Sequence, residues 1–155
     1  MKAYEGKHVD VAIEDGKEVV LHGPAVAIVA VDREETVTFV RQQRAGARGK
    51  LLEIPAGNVD EGEEPLATAQ RELREETGLY GGEWVEVAQV YSSPGFCDER
   101  VHIFFARGLV AGEASPEGSE EIELVRVPAA EIEALIPEIE DAKTLAGLLL
   151  YLRLR

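Results

Sequence analysis

The chain has 155 residues and a formal net charge of −14, with 30 acidic and 16 basic side chains. This length predicts a single domain over residues 1–155 with an adequate core. The charge argues against nucleic acid and anionic membranes as partners, because both require a basic surface. One cysteine, Cys97, excludes an internal disulfide and a cysteine metal cage. The sequence shows no signal-peptide pattern and no apolar run of membrane-spanning length, so we expect a cytoplasmic protein.

The N-terminal residues 1–23 predict a β-hairpin. Apolar and polar residues alternate over 9–13, Asp15-Gly16 supply a tight turn, and 19–21 return along the first strand. This hairpin is expected to lie at the periphery of the main sheet.

Three strands are predicted next. Residues 25–31 are almost continuously apolar, which is typical of a strand buried on both faces. Residues 37–40 continue the sheet and lead into Arg41 and Arg44, and residues 51–57 form a short third strand. Guanidinium groups bind phosphate oxygens in a bidentate fork, so these arginines are candidates for anion binding. The alternative is a pair of ordinary surface arginines.

Residues 65–77 are predicted to form a helix. Pro65 suits the first helical position, and Gly78 can adopt the left-handed conformation that ends a helix. Spacings of three and four residues predict one buried stripe. The stripe comprises Leu66, Ala69, Leu73 and Thr77.

This helix carries an unusual acidic cluster. Glu72, Glu75 and Glu76 occupy positions i, i+3 and i+4, so their carboxylates emerge on one face and repel one another. Arg71 lies one turn before Glu75 and can offset part of the repulsion. Convergent carboxylates are what a hard divalent cation such as Mg²⁺ binds. A solvated acidic face is the alternative.

The remaining elements complete the chain. Strands are predicted over 84–91, 101–109 and 122–127, and a short helix over 128–136. Asp141 can cap a final helix. That helix has a predicted buried stripe of Leu145, Leu148, Leu149 and Leu152, widened by Leu150, Tyr151 and Leu154.

The spacing around the acidic helix resembles the Nudix box over residues 57–79. The matching positions are Gly57, Glu63, Arg71-Glu72-Leu73, Glu75-Glu76 and Gly78-Leu79. The resemblance implies the Nudix fold, an α/β architecture in which a mixed β-sheet is sandwiched between helices (α/β/α). It also implies a loop–helix–loop that binds Mg²⁺ and hydrolyses a nucleoside diphosphate linked to another group. Mn²⁺ or another divalent cation could substitute.

Three further stretches resemble the ADP-ribose pyrophosphatase branch. They are Arg41-Gln42-Gln43-Arg44, Leu52-Glu53-Ile54-Pro55-Ala56-Gly57, and the Ser-Pro-Gly of Ser93-Pro94-Gly95 with a glutamate a few positions on. The branch often has proline after the second arginine, where this chain has Ala45. The resemblance implies that ADP-ribose is cleaved to AMP and ribose 5-phosphate.

The same resemblance implies roles for individual residues. The expected metal ligands are Glu72, Glu75, Glu76, Glu120 and the backbone carbonyl of Ala56. The expected substrate contacts are Arg44, Arg41, Ser93, Pro94, Gly95, Phe96 and Glu99. Glu53 is a further ligand, a substrate contact or an ordinary strand residue. Cys97 and His102 are assigned no role.

The general base is expected in the acidic loop over residues 111–121. A mobile carboxylate can take a proton from attacking water when substrate closes the site, and the resemblance places the base in this loop. Glu120 is the first choice and Glu121 the second, with Glu117 and Glu123 less favoured. A plain solvated loop is the alternative.

The predicted partner is a small nucleoside diphosphate, and the hairpin of residues 1–23 suggests a homodimer by analogy with the same branch. Two other functions remain open. One is a Nudix pyrophosphohydrolase acting on nucleoside triphosphates or dinucleoside polyphosphates. The other is a non-catalytic module that only senses a nucleotide.

Overall fold

The computed structural model describes residues 1–113 and 121–155. The strands in these ranges are β1 (Lys2–Glu5), β2 (Asp10–Glu14), β3 (Lys17–Leu21), β4 (Pro24–Asp32), β5 (Thr36–Arg44), β6 (Gly49–Glu53), β7 (Ala56–Asn58), β8 (Leu79–Tyr80), β9 (Glu83–Tyr91), β10 (Arg100–Ala111) and β11 (Glu123–Pro128). The helices are α1 (Pro65–Thr77), α2 (Ile132–Leu135) and α3 (Ala142–Leu154), and short 3-10 turns at Ala129–Glu131 and Ile136–Glu138 flank α2.

An eight-stranded mixed sheet forms the centre of the molecule. β4 and β10 run parallel, with Ala25 opposite Val101 and Ala30 opposite Ala106. The other described pairs of this sheet are antiparallel, and the main strand order is β11-β5-β4-β10-β8. β6 pairs with β5, β7 with β4, and β9 with β10. This arrangement brings β7 and the ends of β4, β5 and β6 into one region.

Helices cover both faces of the sheet. On one face, Val26 and Ile28 of β4 belong to the same buried cluster as Ala69 and Leu73 of α1. On the other face, alternate β4 residues such as Val29 belong to a second cluster that includes residues of α2 and α3. The strand is therefore apolar at consecutive positions because both of its faces are buried. The predicted α/β/α sandwich is confirmed.

The buried faces of both long helices differ from the predicted stripes. In α1, Ala69, Leu73 and Thr77 are buried, but Leu66 is 42% exposed. The buried line follows a spacing of four residues, which leads back to Pro65 and leaves Leu66 about 100° away. In α3, the buried residues are Thr144, Gly147, Leu148 and Tyr151. Leu145 and Leu152 are half-buried, and Leu149 is 49% exposed. The prediction of burial was wrong at Leu66 and Leu149.

Several element boundaries also differ from the predicted ones. β5 continues through Arg44, because Arg41 to Arg44 pair with β6. β10 extends to Ala111, where it pairs with β8. The predicted helix over 128–136 is a short α-helix between two 3-10 turns. The predicted strand over 51–57 is divided into β6 and β7, with Ile54 and Pro55 between them. The structure also adds β1 and β8, which are too short to give a periodic signal.

The N-terminal segment forms a separate three-stranded sheet. β2 and β3 are the predicted hairpin, and β1 pairs with β2. The backbone N–H of Val20 donates to the oxygen of Phe96, and the N–H of Asp98 donates to the oxygen of Val20. These bonds attach β3 to the loop that follows β9.

In the described ranges, no helix is both long and apolar enough to cross a membrane.

Candidate active site

Arg71 gathers the carboxylates of α1 and of the preceding loop. Its Nε and Nη2 donate to Oε1 and Oε2 of Glu63 at 3.1 and 3.0 Å. Its Nη1 donates to Glu72 Oε1 at 3.0 Å and to Glu75 Oε2 at 3.2 Å. The hydrogen bonds from Arg71 lower the pKa of Glu63 to about 2. Arg71 therefore offsets the like-charge repulsion on this helix, as the sequence predicted.

Glu72 lies directly against the backbone of Gly57. A Cβ added at Gly57 would overlap Cδ and Oε1 of Glu72, so any larger residue here requires this carboxyl to move. Burial raises the pKa of Glu72, although Arg71 opposes the shift. A partly desolvated carboxylate of this kind is stabilised by an additional cation.

A cavity of about 370 Å³ opens beside Glu72. It lies where β4, β7, α1, the end of β5 and the start of α3 meet. Its lining residues are His22, Ala25, Val26, Arg44, Ala56, Gly57, Asn58, Glu72, Glu99 and Lys143. Four of the predicted site residues thus line one cavity, namely Arg44, Ala56, Glu72 and Glu99.

Arg44 and Lys143 form a basic wall of this cavity. Arg44 Nε and Nη2 donate to Oε1 and Oε2 of Glu53 at 2.7 and 2.9 Å. Lys143 Nζ donates to Glu53 Oε2 at 2.7 Å and to Asp141 Oδ1 at 2.9 Å. Burial raises the pKa of Glu53, but the bonds from Arg44 and Lys143 outweigh it and the pKa lies below its usual range. Glu53 is therefore a buried anion that holds two cations.

His22 and Glu99 line another part of the cavity. His22 Nδ1 lies 3.6 Å from Glu99 Oε1. The neighbouring Asp98 accepts hydrogen bonds from the backbone N–H of His22 at 2.7 Å and of Gly23 at 3.0 Å. Burial raises the pKa of Asp98, yet these backbone donors bring it below its usual range. The carboxylate of Asp98 thus fixes the junction of β3 and β4 against the loop that carries Glu99.

Other predicted site residues lie outside the cavity lining. Arg41 makes an exposed ion pair with Glu123 at 3.2 Å. Glu75 and Glu76 are half-buried on α1, one turn from Glu72. The residues of the turn after β9 are Ser93, Pro94, Gly95 and Phe96, and its N–H groups at 96 and 97 donate to the oxygen of Ser93. Glu121 is exposed, whereas Glu117 and Glu120 lie outside the described residues.

Sequence reasoning missed Lys143 and His22. The sequence did contain a signal for Lys143, namely its position in the first turn of the last helix. A cation there interacts unfavourably with the helix dipole, so a lysine at this position indicates a nearby anion. Asp141, two residues earlier, is one such anion. His22 gave no signal, since its position depends on how β3 meets a loop 76 residues further along the chain.

The oxygen donors at this site fit a divalent cation. Within residues 1–113 and 121–155, no three His, Cys, Asp or Glu side chains already form a metal cage. The guanidinium of Arg71 binds both Glu72 and Glu75. Carboxylate and backbone oxygens are the ligands of hard cations, and Glu72 lies against the strand that contains Ala56. A cation would share these carboxylates with Arg71.

Comparison with known proteins gives the same result as the box spacing. The model of the NUDIX domain matches residues 21–148. The chain belongs to the Nudix family. It is 39% identical to the ADP-ribose pyrophosphatase of Bacillus subtilis (strain 168), over 98% of this chain and 89% of the relative. It is 36% identical to the methanol dehydrogenase activator of Bacillus methanolicus, over 94% of this chain and 83% of the relative.

A solved structure supports the fold. The crystal structure of an ADP compounds hydrolase superposes with a TM-score of 0.81, covering 99% of this chain and 89% of that one. The sequences share 21% identity, so the likeness concerns the fold. Nudix hydrolases generally require a divalent cation, and this Nudix domain is an enzyme of that class.

The contact between Gly57 and Glu72 gives a test of this Nudix site. We expect Gly57→Ala to lower kcat/KM at least about a hundredfold, because the added methyl displaces the Glu72 carboxyl. Gly46→Ala is a matched control, since a Cβ at Gly46 meets nothing within 4 Å. Steady-state kinetics and circular dichroism would separate loss of activity from loss of fold. Wild-type kinetics in Gly57→Ala would remove this contact from the site.

Proposed function

We propose that the chain hydrolyses the diphosphate bond of ADP-ribose, or of a related nucleoside diphosphate sugar, with Mg²⁺ as the metal. The products of ADP-ribose would be AMP and ribose 5-phosphate. The observation that carries the proposal is that Glu72, Gly57 and Arg44 line the same cavity. A metal-bound diphosphate needs both an anionic and a cationic wall. The relative from Bacillus subtilis, which this chain matches along its length, supports the choice of substrate.

The residues divide the work according to their chemistry. Glu72, Glu75, Glu76 and the backbone of Ala56 would hold the cation, which when bound neutralises phosphate charge and lowers the pKa of an attacking water. Arg44 would hold phosphate oxygens through charge-assisted hydrogen bonds. Glu99 would accept hydrogen bonds from ribose hydroxyls, because an ionised carboxylate is an acceptor only.

Proton removal from the attacking water requires a carboxylate near the cavity. We keep Glu120 as the first candidate and Glu121 as the second, with Glu117 and Glu123 behind them. Arg41 and the turn of residues 93–96 remain proposed substrate contacts that would act when the substrate is bound. Exposure of Phe96 at 57% supports this, since its ring is available to a ligand.

Product chromatography after incubation with a substrate panel and Mg²⁺ tests the proposal. The panel contains ADP-ribose, other nucleoside diphosphate sugars, nucleoside triphosphates and dinucleoside polyphosphates. AMP together with ribose 5-phosphate is the expected result. Monophosphate with inorganic pyrophosphate would instead favour a triphosphate pyrophosphohydrolase. Binding without turnover of any compound would favour a nucleotide sensor.

The proposal includes a cytoplasmic homodimer. The exposed apolar residues Leu149 and Leu154 of α3 and Tyr4 of β1 support a second-subunit contact. Use of a single cysteine supports a reducing compartment. Sedimentation equilibrium of the purified chain would test the dimer.

A further inference from the structure

We propose that Lys143 is a substrate-binding residue that holds diphosphate oxygens beside Arg44, and that Glu53 is the positioning residue for both cations. The inference rests on the proposed function, because it concerns the same cavity. It adds a residue from α3, far along the chain from the Nudix box.

The position of Lys143 is set by three contacts. Thr144 Oγ1 accepts a hydrogen bond from the backbone N–H of Ile54 at 2.9 Å, which joins the start of α3 to the end of β6. Lys143 Nζ then reaches Glu53 and Asp141 at 2.7 and 2.9 Å. A lysine ammonium has three donors, so one remains after these two bonds. The side chain of Lys143 lines the cavity, where this third donor can meet an anion.

Stability of α3 does not account for a lysine at this position. Asp141 already caps the helix, since its Oδ2 accepts from the backbone N–H of Thr144 at 2.9 Å. A cation in the first turn opposes the helix dipole and weakens the helix. The buried Glu53 carboxylate, 1% exposed, compensates for that cost and fixes the ammonium beside the Arg44 guanidinium.

Charge in the cavity leads to the same conclusion. Among the described residues that line the cavity, Arg44 and Lys143 are the arginine and the lysine, and Glu72 and Glu99 are the acidic residues. The whole chain has a net charge of −14. An anionic diphosphate is therefore attracted locally by this pair, once a cation has neutralised the carboxylate wall. Removal of one member should weaken substrate binding more than it slows the chemical step.

Kinetics of Lys143→Met, Lys143→Arg and the control Lys50→Met test the proposal. Methionine keeps most of the side-chain length, and Lys50 is an exposed residue of β6 outside the cavity lining. We expect Lys143→Met to raise KM about tenfold to a hundredfold with a much smaller change in kcat, as for loss of one charge-assisted hydrogen bond. Lys143→Arg should restore most of the affinity, and Lys50→Met should match wild type. Unchanged KM in folded Lys143→Met, with or without a lower Tm, would overturn the proposal.

A second measurement uses the wild-type protein and needs no turnover. Inorganic pyrophosphate, with Mg²⁺ present, should protect Lys143 from acylation by an N-hydroxysuccinimide ester and leave Lys50 unprotected, as read by peptide mass spectrometry. Equal labelling of Lys143 with and without saturating pyrophosphate would overturn the proposal. Failure of the proposed function gives a different pattern, in which Lys143 is protected although no compound of the panel is hydrolysed.

Discussion

Glu72→Gln is expected to reduce kcat by about a thousandfold while the protein stays folded. Glutamine has nearly the same shape, so it can still lie against Gly57. It carries no charge, and a hard cation binds a neutral amide oxygen much more weakly than a carboxylate. Metal-ion catalysis contributes several kcal/mol to transition-state stabilisation, which corresponds to the expected loss. Steady-state kinetics across a Mg²⁺ titration would measure it, with Glu76→Gln expected to behave in the same way.

Glu64→Gln is the matched control for these variants. Glu64 lies next to the first residue of α1, is exposed, and its side chain makes no capping hydrogen bond. The substitution Glu64→Gln removes one negative charge at the start of the same helix without changing the cavity lining. Kinetics like those of wild type are expected for Glu64→Gln. If Glu72→Gln retained wild-type turnover at limiting Mg²⁺, the carboxyl of Glu72 would not be a metal ligand.

The acidic helix could be predicted in detail because its signals are local. Pro65, the spacing of Ala69, Leu73 and Thr77, and Gly78 lie within a few turns of one another, and Gly78 has the expected positive φ of 75°. The pairing of Arg71 with Glu75 is also a one-turn relation. Local geometry therefore fixes which carboxylates lie together, before any tertiary contact is known.

The joint contact of Arg44 and Lys143 with Glu53 could not be predicted, because it depends on tertiary contacts between distant segments. The sequence leaves Glu53 open as a ligand, a substrate contact or an ordinary strand residue, and the structure shows a buried carboxylate bound by Arg44 and Lys143. Lys143 lies 90 residues from Glu53 in sequence. No periodicity links two such positions, since their distance follows from how α3 packs on the sheet.

The loop after β9 was also predicted only in part from the sequence. Its Pro-Gly turn was predicted from sequence and lies where expected, between β9 and β10. Its attachment to β3 through Asp98 was not predicted, because backbone N–H groups of residues 22 and 23 carry no sequence signal. The N-terminal sheet therefore contributes to the cavity through His22, although sequence suggested only a peripheral hairpin.

Glu53→Gln is expected to destabilise the fold by about 2 kcal/mol and to raise KM. Removing one partner of a buried ion pair costs several kcal/mol because the remaining charge is left uncompensated. The expected destabilisation is smaller here than for a fully buried pair, because the side chain of Arg44 is 42% exposed and water can solvate it. A glutamine amide would also direct N–H donors at Arg44 or Lys143, which are themselves donors. Urea denaturation would measure the free energy of unfolding.

The difference in unfolding free energy between wild type and Glu53→Gln should depend on pH, and this dependence identifies its cause. The pKa of Glu53 in the folded protein lies below its usual range because of Arg44 and Lys143. The stability that it contributes is therefore fully present above the pKa of the unfolded chain, about 4.3, and is lost as pH falls through the folded-state pKa. Between pH 6 and pH 8, the free energy of unfolding of wild type should be higher than that of Glu53→Gln by a constant amount, on the order of 2 kcal/mol. This difference should shrink below about pH 4.

Glu18→Gln supplies the comparison for this pH series, because Glu18 is an exposed residue of β3. Its unfolding free energy should follow that of wild type at each pH, so that general effects of acid on a highly charged chain cancel. A difference between wild type and Glu53→Gln that stayed constant down to pH 3 would mean that packing, rather than charge, explains the loss. In that case Glu53 would not hold Arg44 and Lys143 electrostatically, and the KM of Glu53→Gln should remain at the wild-type value.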